Sequence, residues 1–307
     1  MFRPRISLAG VFPPIPTPFT AEGDLDVAHL RSNLERWDRE PLAGYVVGGS
    51  NGEYAYQSTD ERVEAIRVAR EVIPPERLLI AGSALEGTRE TIALTRRMAE
   101  AGADAAIVVT PNYYRGRMTA AALEAYYRQV ADASPIPVLL YSVPANTALD
   151  LPAQVVIRLS AHPNIIGLKD SGGDVTKIGY MVQESAPGFQ ILAGSAGFFL
   201  GALAVGAVGC VAALANIAAR PLAELYERVQ RGDLVGARAL QLPLIEANMA
   251  VTSRFGVPGL KAAMDMLGLY GGPVRSPLLP LSEEDRSELQ RVLAKAGVLP
   301  SRAAGNE

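Results

Sequence analysis

One cysteine, Cys210, serves the whole 307-residue chain. It has no partner for an intramolecular disulfide and cannot by itself build a cysteine zinc site. A reducing, cytosol-like compartment fits that usage. Histidine is almost as scarce: only His29 and His162 occur, far apart and away from the ends of predicted strands. His162, just before Pro163, reads as a helix-terminus residue. With no HExxH motif and no histidine–carboxylate cluster at ligand spacing, a metal-dependent mechanism has little support. A basic excess is missing too, since the formal net charge is −3, which argues against a general nucleic-acid binder. Long apolar runs are absent. The nearest, 196–219, is interrupted by Gly197, Gly201, Gly206 and Gly209. It reads as helix, turn and strand, whereas a membrane span needs about 20 apolar residues in one element. The opening Met1-Phe2-Arg3-Pro4-Arg5-Ile6-Ser7-Leu8 has no apolar core of a secretory signal and is too short for an amphipathic presequence, so the expected location is cytoplasmic.

What is present is a large core. Hydrophobic residues make up 49% and charged residues 20%, the profile of a soluble globular protein. The length suits one large barrel with an appendage, or two ordinary domains. Short β-branched runs alternate with helix-patterned segments, the pattern of parallel β/α architecture. Eight strands are predicted: 10–13, 44–48, 78–82, 106–110, 137–141, 165–169, 190–194 and 209–213. Between them, Ser58-Thr59-Asp60-Glu61 is a capping box that opens a helix. Its apolar face is Val63, Ile66, Val68, Ala69 and Val72, and Pro74-Pro75 ends it. An open doubly wound sheet would need a glycine-rich turn after the first strand; Pro13-Pro14-Ile15-Pro16-Thr17-Pro18 is not one. A closed (β/α)8 TIM barrel is therefore expected over residues 1–230. Helices at 222–231, with Pro221 as its first residue, 233–255, 259–267 and from Ser282 to near Gly297 follow. Residues 231–300 form a C-terminal helical extension, and 301–307 a disordered tail.

A β/α barrel carries its chemistry at the C-terminal ends of its strands. Lys169 closes the apolar run Ile165–Leu168, and it is one of only four lysines among 29 basic residues. Where any cation would serve, this chain uses arginine. Removal from water disfavours the charged form of an amine and frees a nucleophile, a role closed to arginine. Two readings stand at this point: Lys169 as nucleophile, or Lys169 paired with Asp170 or another carboxylate. Tyr141 ends the neighbouring strand, as a proton shuttle or a core tyrosine with a satisfied hydroxyl. Ser50 and Asn51 lie in a glycine-flanked turn that suits an anion such as a carboxylate, or is simply a polar loop. Gly194-Ser195-Ala196-Gly197 has the look of a phosphate-cradling turn, but close packing is the better reason for its glycines.

Four motifs then fall in order on the right strands: Gly49-Ser50-Asn51-Gly52-Glu53, Thr110-Pro111-Asn112-Tyr113-Tyr114, Tyr141-Ser142-Val143-Pro144 and Gly167-Leu168-Lys169-Asp170-Ser171. With them the chain resembles the dihydrodipicolinate synthase and N-acetylneuraminate lyase superfamily over almost its full length. Within it, Tyr141–Thr147, Lys169–Thr176 and Arg254–Lys261 bring it nearest to 4-hydroxy-2-oxoglutarate aldolase. The resemblance implies a class I aldolase that needs no metal or organic cofactor. Lys169 then corresponds to the Schiff-base lysine and Tyr141 to the proton-shuttling tyrosine. Ser50 stands where the family often has threonine in a hydroxyl relay, and Tyr113 matches a tyrosine reaching into the neighbouring subunit's site. Asn51 and the amides around Gly49 correspond to binders of the 2-oxo acid carboxylate, and Ser171 to a position near the distal end of the substrate. A homotetramer built as a dimer of dimers is implied. One departure is plain. Synthases of the lysine pathway usually carry arginine after the tyrosine, but Ala145-Asn146-Thr147 supplies no cation, which favours the aldolase over the synthase. A 2-oxo acid-binding sensor barrel is the non-enzyme alternative.

Overall fold

The computed structural model describes residues 6–299. Eight parallel strands form it: β1 (Gly10–Phe12), β2 (Gly44–Val47), β3 (Leu78–Gly82), β4 (Ala105–Val109), β5 (Val138–Ser142), β6 (Ile165–Asp170), β7 (Gln190–Ala193) and β8 (Gly209–Val211). Hydrogen-bonded neighbours run from β2 through β8 in chain order, and β8 pairs with β1. Closure comes from the β1–β2 seam. There Val46 N–H donates to Pro13 O (3.0 Å) and Ile15 N–H to Val46 O (2.9 Å). The eight expected strands are all present, each within a residue or two of its expected bounds.

Helices wrap the outside: α1 (Val27–Trp37), α2 (Thr59–Val72), α3 (Thr88–Glu100), α4 (Ala120–Ala133), the single turn α5 (Pro144–Thr147), α6 (Ala153–Ser160), α7 (Val175–Glu184), α8 (Phe199–Ala204) and α9 (Ala219–Gln230). α2 begins as its sequence says. Ser58 Oγ accepts from Glu61 N–H while the Glu61 carboxylate accepts from Ser58 N–H, so two otherwise orphaned donors are satisfied together. α9 starts two residues before Pro221. The first-turn amides have no intrahelical partner, so a proline third in the helix costs nothing there.

The C-terminal helices are α10 (Leu234–Met249), α11 (Gly256–Met266) and α12 (Glu283–Lys295). The expected continuous helix 233–255 is interrupted. Ala250–Arg254 form a π-turn, in which Phe255 N–H reaches back to Ala250 O at 3.1 Å. Gly256 then takes a left-handed φ of 58°, and α11 begins three residues earlier than expected. The tail 301–307 lies outside the described residues. Among the described residues no helix is long and apolar enough to cross a membrane.

Register decides what meets at the barrel mouth. Between β5 and β6 the pairing skips Ile166: Val138 stands opposite Ile165, then Leu139 opposite Gly167 and Tyr141 opposite Lys169. Without that irregularity Tyr141 would face Leu168, whose side chain points to the other surface of the sheet. Gly167 permits the close approach of β7, because a Cβ there would sit 2.4 Å from Gln190 O.

Candidate active site

Strand alternation sends Lys169 and Tyr141 into the barrel and their neighbours Asp170 and Ser142 out toward the helices. Both inward side chains are buried, 5% and 6% exposed. The Lys169 Nζ lies 4.1 Å from the centroid of the Tyr141 ring, and the Tyr141 hydroxyl is 3.5 Å from Ser50 Oγ. A narrow pocket at the mouth is lined by Gly49, Ser50, Tyr54, Arg62, Tyr141 and Lys169, among others. It borders a cavity of about 580 Å³ whose walls include Thr110, Asn112, Asn146 and Val257, a volume typical of small-molecule sites.

The four lysines separate cleanly by their partners. Lys177 pairs with Asp150 at 2.6 Å and Asp170 at 3.4 Å, Lys261 with Glu53 at 2.6 Å, and Lys295 with Glu246 at 2.7 Å. Lys169 has no ion pair among the described residues. Asp170, offered by the sequence as its possible partner, points out of the barrel, bonding Lys177 and accepting from Gly172 N–H at 2.9 Å. The paired reading of Lys169 fails.

Tyr141 is held in an ionisable state. Burial alone would raise its phenol. The Lys169 charge, with hydrogen bonds to Ser50, Lys169 and Ser171, outweighs burial and brings it below the ordinary phenol value. An optical titration should therefore show one phenol ionising below about 10. That ionisation should vanish in Tyr141→Phe and move upward in Lys169→Met, which removes the neighbouring charge; a titration unchanged in either variant contradicts the arrangement.

Ser171, Gly49 and Asn51 hold supporting positions. Ser171 sits against Tyr141 in space that Gly194 leaves open, since a Cβ on Gly194 would fall 1.9 Å from Ser171 Oγ. Gly49 lines the narrow pocket. Asn51 occupies the one-turn 3₁₀ segment Ser50–Gly52 after β2. It does not line the cavity, but its Nδ2 is buried with no hydrogen-bond partner, a donor still in need of an acceptor. Tyr113 stands apart. It is 76% exposed, stacks edge-on against Tyr114 with centroids 5.0 Å apart, and is not among the residues lining its own chain's cavity. Its loop is anchored by Glu86, whose carboxylate accepts from Asn112 N–H and Tyr113 N–H, both at 2.9 Å.

Two features escaped the sequence. Arg62, 2% exposed, lies on the apolar stripe of α2 with Ala65, Ile66 and Ala69, and an arginine at such a position is the signal that could have found it. Its guanidinium donates to the carbonyls of Gly82 and Ala84 and packs against the face of Tyr54 at 5.1 Å. Burial lowers it to about 10, and no carboxylate pairs with it among the described residues. The second feature is the Glu53–Lys261 pair, with side chains 1% and 2% exposed. Burial pushes the Lys261 ammonium down, and Glu53 only partly restores it. Lys261 also donates to Pro273 O at 2.7 Å, and Glu53 accepts from Arg275 N–H at 2.8 Å. The pair fastens the Ser50–Asn51 turn to the C-terminal helices.

Neither histidine takes part. His29 pairs with Asp26 and stacks on Tyr270, and His162 bonds Asp132. Among the described residues no group of three or more His, Cys, Asp or Glu is placed to hold a metal ion.

These features define a β/α-barrel protein with its polar pocket at the C-terminal ends of the strands. Comparison with known proteins places it further. Residues 7–296 match the dihydrodipicolinate synthetase family. A 4-hydroxy-tetrahydrodipicolinate synthase of Methanothrix thermoacetophila is 37% identical over 292 residues, spanning 93% of this chain and 96% of that one. A probable mitochondrial 4-hydroxy-2-oxoglutarate aldolase of Emericella nidulans is 34% identical over 297 residues, spanning 95% and 96%. The crystal structure of a chloride-inhibited dihydrodipicolinate synthase from Acinetobacter baumannii, complexed with pyruvate, matches at a TM-score of 0.89 and 29% identity, covering 95% of this chain and 100% of that one. The chain belongs to the dihydrodipicolinate synthetase family, whose members are lyases and aldolases of the dihydrodipicolinate synthase type. The two curated relatives differ by too little in identity to choose between their substrates.

Proposed function

We propose that this chain is a class I aldolase that reversibly cleaves 4-hydroxy-2-oxoglutarate to pyruvate and glyoxylate. The observation that carries the proposal is Lys169: buried, inside the barrel, without a carboxylate partner among the described residues and set against a phenol. Once its ammonium has given up a proton, the amine attacks C2 of the 2-oxo acid, water leaves the carbinolamine, and a protonated imine results. The C4 hydroxyl gives up its proton, the C3–C4 bond breaks, and glyoxylate departs as the electron pair moves into the enamine. Protonation at C3 and hydrolysis then release pyruvate and the free lysine. The imine supplies the electron sink, so the reaction as proposed uses neither metal nor organic cofactor.

Tyr141 and Ser50 move the protons, joined by Tyr113 of a neighbouring copy in a cytoplasmic homotetramer. The backbone amides of the turn carrying Gly49 and Asn51 hold the 2-oxo carboxylate, and Ser171 lies toward the distal end. Charge balance supports a dianionic substrate. Lys169 and Arg62 both line the pocket with no carboxylate partner among the described residues, and Glu86 is engaged with backbone N–H groups. The synthase reading keeps support from the 37% identical relative, yet Asn146 and Thr147 line the cavity and neither is a cation.

Purified protein assayed with 4-hydroxy-2-oxoglutarate, with pyruvate plus aspartate semialdehyde, and with N-acetylneuraminate separates these readings. The highest kcat/KM is expected for 4-hydroxy-2-oxoglutarate. Dominant condensation with aspartate semialdehyde overturns the choice of substrate, and pyruvate binding with no turnover on any of them makes the barrel a sensor.

A further inference from the structure

Arg62 shares the narrow pocket with Lys169, yet no step of the proposed reaction uses it. One nitrogen of its guanidinium donates to Gly82 O at 2.5 Å and to Ala84 O at 3.3 Å, and a second donates to Ala84 O at 3.2 Å. The third, Nε, is buried with no hydrogen-bond partner. Carbonyl oxygens satisfy N–H groups but do not cancel the charge. Burial lowers the group only to about 10, so it stays a cation at neutral pH. Among the described residues no carboxylate lines the narrow pocket. Glu86, on the wall of the adjoining cavity, is engaged with the N–H groups of Asn112 and Tyr113. Enclosing a charge without a counter-ion is costly, and an uncharged donor could have bonded the same two carbonyls. The charge points to an anion that the chain itself does not supply.

Its position says which anion. Gly82 ends β3 and abuts the turn that follows β2: a Cβ on Gly82 would fall 2.1 Å from Gly48 O and 3.2 Å from Gly49 N. The guanidinium also packs on the face of Tyr54, 5.1 Å from its centroid, and Tyr54 follows the same turn by one residue after Glu53. Arg62 therefore supports the Gly49–Asn51 turn from both of its ends. A 2-oxo acid condensed at Lys169 carries its carboxylate one bond from the reacting carbon, and the turn that receives it is the one Arg62 supports.

We propose that Arg62 is a specificity-determining residue, whose buried charge stabilises the carboxylate held by the Gly49–Asn51 turn and so selects 2-oxo acids over uncharged ketones. It does so without touching the substrate, because a charge in surroundings of low dielectric constant is felt beyond its hydrogen bonds. The inference rests on the reading that Lys169 condenses with a 2-oxo acid, and it is indifferent to the aldehyde released.

Trapping at Lys169 with cyanoborohydride, read by mass spectrometry over a range of pyruvate or pyruvamide concentrations, tests this. Pyruvamide keeps the ketone and the shape but not the charge. The unmodified chain should be half-saturated by far less pyruvate than pyruvamide. Arg62→Gln should raise the half-saturating pyruvate concentration by on the order of tenfold and leave that for pyruvamide unchanged. Arg62→Lys keeps the charge and should keep most of the preference. A structural role alone would weaken both ketones together, and that result overturns the proposal, as does a pyruvate preference unaltered in Arg62→Gln. Circular dichroism melts identify a variant that fails to fold, in which case Arg62→Met, apolar like the rest of its stripe on α2, takes the place of Arg62→Gln. If neither folds, Arg62→Lys decides: a preference kept supports the proposal and a preference lost overturns it. An unmodified chain that gives no Lys169 adduct with pyruvate overturns the aldolase reading and this inference together. An adduct formed equally well with pyruvate and pyruvamide overturns this inference alone.

Discussion

Lys169→Ala is expected to lower kcat for carbon–carbon cleavage by on the order of 10⁴, the scale on which loss of a covalent nucleophile is felt. The fold should hold, because Lys169 pairs with no carboxylate among the described residues that its loss would leave stranded. Lys169→Arg sharpens the prediction. It keeps a positive charge at the mouth, but a guanidinium does not deprotonate and cannot form the imine. If Lys169 acted only by attracting an anion, the arginine variant would retain most of the activity. Equal loss in the two variants, read from steady-state kinetics, is the expected result.

Glu53→Gln and Lys261→Met should each destabilise the chain by about 3–5 kcal/mol, since either leaves one buried charge without its counter-ion. The pair lies at 2.6 Å with both side chains almost wholly enclosed. Phe19 cannot compensate: its ring already faces Lys261 at 4.5 Å and Arg275 at 4.2 Å. The double variant Glu53→Leu/Lys261→Met should cost less than either single one, because removing both charges leaves no ion stranded. Urea midpoints with unchanged m-values report this directly. Single variants within about 1 kcal/mol of the unmodified chain, a surface-like value, would show that the pair is not buried as described.

The barrel was legible because its strands are enclosed on both faces and therefore read as unbroken apolar runs. β-Branched stretches such as Ile107–Val109 and Ile165–Ile166, bounded by glycine and proline nearby, marked the strands. Lys169 and Tyr141 were legible for a related reason: each polar side chain closes an apolar run at the end where barrels place their chemistry. Local pattern could not supply the register. The skipped Ile166 that puts Tyr141 opposite Lys169 is a property of two strands together. The break at Ala250–Arg254 escaped because apolar periodicity continues through it while the hydrogen bonding shifts by one residue. Glu53 and Lys261 are separated by most of the chain, and neither carries a local mark of the other. Arg62 was hidden differently, by occupying an apolar position on a helix otherwise rich in surface charge.

The central claim is that the Lys169 amine condenses with a 2-oxo acid. Reduction of the protein with borohydride in the presence of pyruvate, followed by peptide mass spectrometry, tests it most directly. A reduced pyruvyl adduct on the peptide containing Lys169, absent without pyruvate and absent from Lys169→Ala, is the predicted result. Catalytically competent protein that yields no adduct, or carries it on Lys177, Lys261 or Lys295 instead, would contradict the account.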